Sequence, residues 1–136
     1  MYSENSSLEN WKEKAQDLAA KISGKILLNG RLTGASTEHQ ITVIHPGDRT
    51  KIGHVPRCKE TDVNKAVESA NRAFGHWRLI PARERGRMVQ LAADAVENQK
   101  EVLAHLLSLD TGNAIRTQSR PEMASTIDLT RMFGGL

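Results

Sequence analysis

The chain has 136 residues, 38% of them hydrophobic and 26% charged, which is one domain's worth of globular polypeptide and excludes a multi-domain machine. Its 19 Lys and Arg against 16 Asp and Glu leave +3, too small a surplus to indicate nucleic acid, and the apolar run Ile26–Leu28 is far short of the roughly 20 residues of a membrane span. The opening residues Tyr2, Ser3, Glu4 and Asn5 lack the basic start and apolar run of a secretory signal, and the single cysteine, Cys58, forms no internal disulfide; both predict a reducing, cytoplasmic location.

In chain order, Leu8, Trp11, Ala15, Leu18, Ala19 and Ile22 share one helical face, with Ser7 the expected cap and Ser23-Gly24 the stop. The period then changes to two. Ile26–Leu28 leads into Asn29-Gly30, the pair a type I′ hairpin turn requires. Ile41–His45 and Lys51–Val55 form a second pair of strands around Pro46-Gly47-Asp48, a turn with Pro46 fixing φ and Gly47 free to go positive, and Pro56 ends the ladder. From Thr61 the period returns to 3.6, with Val63, Ala66, Val67, Ala70, Ala73, Phe74 and Trp77 on one side of a helix.

Pro81 opens the next helix, where Met88, Leu91, Ala92, Ala95 and Val96 face one way; a bend is expected at Asn98 before Val102, Leu103, Leu106 and Leu107, and Gly112 fits the left-handed position past the end. A last helix is expected from Pro121, carrying Met123, Ala124, Ile127 and Met132 and stopping at Gly134-Gly135. The segments divide as 1–24, an amphipathic helix; 25–57, hairpin strands; and 58–136, a helical part.

Short catalytic signatures are absent: there is no G-x-G-x-x-G, no phosphate loop and no H-E-x-x-H. His54 and Cys58, four apart, form the one pair with ligand-like spacing, set against a plain surface reading. Cys58 lies between Arg57 and Lys59, which favours a thiolate, but no base can be placed beside it. Arg83, Arg85 and Arg87 oppose the dipole at a helix start, with Glu84 and Asp94 the expected partners, and no aromatic is interleaved with them as nucleic-acid binding needs. Asp110 is the mirror case at a helix end: either a bound cation or donor compensates it, or its own side chain forms the turn.

Taken in order, Leu27–Arg31, Thr42–Gly47, Lys51–Pro56, Asp62–Trp77, Arg83–Arg87 and Leu109–Asn113 resemble the N-terminal stretch of the NAD(P)-dependent aldehyde dehydrogenases. The resemblance implies an α/β family fold with two Rossmann-like domains and an oligomerisation flap, of which this sequence covers a part that is mainly helical with short antiparallel hairpins. Intact members oxidise an aldehyde to its acid through a cysteine thiolate, hydride transfer to NAD or NADP and a glutamate-activated water. The motifs for the catalytic Cys, Glu and Asn and for the cofactor lie beyond Leu136 in the family pattern, so the chain is expected to be inactive alone and to bind neither NAD nor NADP well. Cys58, in Pro-Arg-Cys-Lys, does not match the nucleophile's motif.

What carries over is support. By resemblance, the carbonyls of Val43 and Ile44 and the carboxylate of Asp110 hold an alkali-metal cation, and the helix around Met123 and Ser125 lines the aldehyde entrance. His45 replaces the family's usual asparagine before Pro46, and Asn113 replaces a common lysine. The alternative is a non-catalytic module associating with itself or with full-length dehydrogenase subunits; neither nucleic acid nor membrane is expected as a partner.

Overall fold

The computed structural model describes residues 3–136, with side-chain positions from residue 10 onward. Helix α1 (Ser3–Ile22) is followed by two hairpins, β1 (Lys25–Leu28) with β2 (Arg31–Gly34) and β3 (Gln40–Ile44) with β4 (Lys51–Pro56). Then come α2 (Glu60–Trp77), α3 (Ala82–Asn98), α4 (Lys100–Thr111), a π-helical turn at Ile115–Ser119 and α5 (Arg120–Gly134). The architecture is mainly helical with short antiparallel strands, as the period changes predict, and the two hairpins remain separate sheets. Among the described residues no helix is long and apolar enough to cross a membrane.

Local chemistry explains the turns. Asn29 and Gly30 take φ of 51° and 72°, the double left-handed pair of a type I′ turn, and Leu28 pairs with Arg31 across it. In the second hairpin Val43 faces Gly53 while Ile44 faces Lys51, so Ile52 is left over as a bulge. The reversal departs from expectation, since the left-handed residue is Arg49, with φ of 61°, and not Gly47. The Asp48 carboxylate accepts from the Thr50 N–H at 2.9 Å and hydroxyl at 2.6 Å, and the Arg49 N–H donates to the His45 carbonyl at 2.9 Å. These bonds push the change of hand one residue past Asp48.

Three further expectations are corrected. Helix α1 runs through Ser7 from Ser3, so Ser7 is not its cap; serine does not break a helix, and neither Gly nor Pro precedes it. The side chain of Leu8 lies outside the described residues. The break between α3 and α4 falls at Gln99, with φ of −111°, one residue past Asn98. Asp94 pairs not with the α3 arginines but with Arg131 of α5 at 2.8 Å, and Arg131 also meets Glu97. Arg85 donates to the Ile80 carbonyl at 2.6 Å, which ties the start of α3 to the preceding loop. Pro121 stands in the first turn of α5, and Gly135 follows its end, as expected.

The core is built from small side chains. Ala15 and Ala19 of α1, Ala93 of α3, Val102, Ala104 and Leu109 of α4, and Ile127 of α5 are buried. Alanine lets helix axes approach, and at Gly86 a Cβ would overlap the Gly134 carbonyl, so α3 and α5 touch backbone to backbone. Arg120 of α5 reaches Glu101 of α4 through Nε at 2.9 Å and Nη2 at 2.8 Å. Ser119, in the π-helical turn, is fully buried with its hydroxyl unpaired among the described residues. Helix α2 stands apart, because its apolar stripe is exposed and polar contacts fix it to the chain.

The chief such contact is Asp62, which is buried. Its carboxylate accepts from the Lys59 N–H at 3.0 Å and from the Ser36 N–H at 3.0 Å and hydroxyl at 2.8 Å. These donors, the Lys59 N–H foremost, hold the carboxyl below its ordinary value of 3.8. A depressed folded-state value means that the stabilisation is complete above the unfolded value and is lost as pH falls through the folded one. Asp62→Asn is expected to lower the urea midpoint at neutral pH and to flatten its fall between about pH 5 and about pH 2, measured by circular dichroism.

Candidate functional site

The C-terminal end of α4 meets the reversal between β3 and β4. Gly112 closes α4 with φ of 76°, and its N–H donates to the Ser108 carbonyl at 2.9 Å. A Cβ at Gly112 would stand 3.2 Å from the Pro46 ring, so glycine serves both the left-handed backbone and the close approach. Beside it, His45 Nδ1 lies 2.8 Å from the Leu109 carbonyl. A carbonyl only accepts, so Nδ1 carries the proton in this contact. His45 and Pro46 together fasten the hairpin to the helix end.

A second fastening holds the other end of β4. The His54 N–H donates to Ser23 Oγ at 3.0 Å, His54 Nδ1 lies 3.0 Å from the same oxygen, and the Gly24 N–H donates to the His54 carbonyl at 2.8 Å. The His54 ring is therefore engaged with Ser23, whereas Cys58 is exposed. Among the described residues no group of three or more His, Cys, Asp or Glu side chains is arranged to hold a metal.

Between α1, the hairpins, α4 and α5 lies a cavity of about 580 Å³ with mostly apolar walls. Val43, Asp110 and Met123 all line it, so the fold brings together three of the five residues singled out in the sequence. Ile44 and Ser125 are exposed, and their side chains do not line it. The helix-end turn is not made by Asp110: Thr111 donates to the Leu107 carbonyl at 2.7 Å and Ser108 to the Asn113 carbonyl at 2.7 Å. Arg83 and Arg87 line a separate hollow with Glu84, Gln90 and the end of α5. His45 and Ser23 are the fastening residues that spacing alone missed, because each finds its partner far along the chain.

With this geometry in place, the comparisons with known proteins are specific. Residues 32–136 match the family model of the aldehyde dehydrogenase family, and the chain belongs to that family. Cytosolic 10-formyltetrahydrofolate dehydrogenase of Mus musculus is 31% identical over 135 residues, covering 97% of this chain and 15% of its own length. The mitochondrial 10-formyltetrahydrofolate dehydrogenase of Homo sapiens is 30% identical over 125 residues, covering 90% of this chain and 14% of its own. The crystal structure of betaine aldehyde dehydrogenase from Staphylococcus aureus in complex with NAD+ superposes with a TM-score of 0.83 at 27% identity, over 92% of this chain and 25% of that chain. The chain thus spans a small share of the length of the relatives it matches.

Two substitutions test the fastening. His45→Ala is expected to cost about 0.5–1.5 kcal/mol by removing one neutral hydrogen bond. Gly112→Ala is expected to cost about 1–2 kcal/mol for the left-handed backbone alone. Both are read from urea unfolding monitored by circular dichroism.

Proposed function

We propose that this chain is the N-terminal part of an NAD(P)-dependent aldehyde dehydrogenase and acts as scaffold, the reacting groups being supplied by other parts of that enzyme. The observation that carries the reading is the family match over residues 32–136 on a fold that superposes on a quarter of a solved aldehyde dehydrogenase. Cys58 supports it, since its context, Pro-Arg-Cys-Lys, does not match the motif of the family's nucleophile. NAD or NADP is the cofactor of the whole enzyme, a reading supported by the NAD+ bound to the staphylococcal relative. The segments 1–24, 25–57 and 58–136 work as one support, in the cytoplasm.

Within it, the carbonyls of Val43 and Ile44 and the carboxylate of Asp110 are assigned to an alkali-metal cation. The donor set fits, since all three are oxygens, which hard cations prefer. The Asp110 carboxylate accepts no hydrogen bond among the described residues, and it shares a cavity wall with Val43. Such a cation would offset the clash between Asp110 and the negative end of α4. Met123 and Ser125 are assigned to the aldehyde entrance, with Met123 inside the cavity.

A second reading is association with a further copy or with family subunits. The chain exposes 10117 Å², against roughly 7,000 Å² for a compact monomer of 15.0 kDa.

Incubated with NAD+ or NADP+ and a panel of aldehydes, the chain is expected to give no reduced cofactor by absorbance; turnover that persists in Cys58→Ser would overturn the scaffold reading. Potassium chloride is expected to raise the melting temperature relative to choline chloride, and Asp110→Asn to abolish the difference. An equal response in both proteins would sink the cation assignment.

A further inference from the structure

The candidate cation site is made of two distant pieces of chain, and a single hydrogen bond joins them. Val43 and Ile44 end β3, and His45 follows directly; Asp110 lies in the last turn of α4, and Leu109 directly precedes it. His45 Nδ1 donates to the Leu109 carbonyl at 2.8 Å, so the bond stands next to the assigned ligands on both sides. Among the described residues no other hydrogen bond runs between this hairpin and α4. The contact lies within the chain, between half-buried His45 and buried Leu109, and does not depend on what covers the outer faces.

Both ends of the bond are fixed. The His45 N–H donates to the Thr50 carbonyl at 2.9 Å, and the His45 carbonyl accepts from the Arg49 N–H at 2.9 Å, so the ring is rooted in the tightest part of the reversal. At the helix end, the Thr111 and Ser108 hydroxyls are engaged within their own segment, on the carbonyls of Leu107 and Asn113. Only His45 therefore reaches across. The bond sets where the carbonyls of Val43 and Ile44 stand relative to the Asp110 carboxylate. Oxygen sites choose among cations by cavity size, ligand number and ligand rigidity, so the contact that fixes this spacing also fixes which ion is accepted.

We propose that His45 is a positioning residue of the cation site: by holding the Leu109 carbonyl, it sets the spacing between Asp110 and the carbonyls of Val43 and Ile44, and with it the size of ion that is bound. The inference rests on the cation assignment made above. What it requires of position 45 is an N–H donor at the place of Nδ1. Asparagine carries its amide nitrogen the same number of bonds from Cα, whereas leucine has the same branching and no donor.

The test reads the gain in melting temperature in sodium or potassium chloride over choline chloride at equal ionic strength, a difference in which a plain loss of stability cancels. The unaltered chain is expected to show unequal gains for the two ions. His45→Leu is expected to shrink both gains and remove the inequality, and His45→Asn to restore it. No gain for either ion in the unaltered chain overturns the cation assignment and the inference with it. Equal gains in the unaltered chain, or unequal gains that His45→Leu keeps in full, overturn the inference and leave the assignment standing. Should His45→Leu not fold, His45→Asn decides: gains that keep their inequality support the inference, and loss of the inequality in a folded His45→Asn chain overturns it.

Discussion

The meeting of the β3–β4 reversal with the end of α4 governs the arrangement of the molecule. A helix end leaves carbonyls unpaired, and here one of them, on Leu109, takes a proton from the His45 ring while Gly112 makes room for Pro46. Together with the Ser23–His54 fastening, this junction holds a two-stranded hairpin that is too small to be stable alone. It also decides that Asp110 faces a cavity shared with Val43 and Met123, so the candidate cation site is a consequence of the same contact.

The balance of burial sets the character of the fold. The buried side chains are mostly alanines and valine-sized groups, which bring α1, α3, α4 and α5 close but remove little apolar area each. The large side chains, Phe74, Leu79, Leu91 and Phe133 among them, remain outside. Polar fastenings at His45, His54, Asp62, Glu101 and Arg131 supply much of the geometry instead. The result is a frame with a defined shape and uncovered apolar faces.

Elements governed by neighbouring residues are legible in the sequence. Asn29-Gly30 dictates its turn because two adjacent left-handed residues are accessible only to such pairs, and Gly112 ends α4 for the same steric reason. The ordered motifs from Leu27 to Asn113 lead to the family. The partner of Asp94 is not legible in this way, because a helix offers several partners at similar spacing and the choice of Arg131 depends on how α5 lies across α3.

By itself, then, the sequence determined the period of each segment, its stops and its family, because these depend on backbone sterics and on side chains only a few positions apart. Tertiary structure alone decided which apolar stripes were covered, which histidine held which carbonyl, and which carboxylate was left facing a cavity. Those outcomes depend on distances between residues tens of positions apart, such as His45 and Leu109, and no local propensity encodes them.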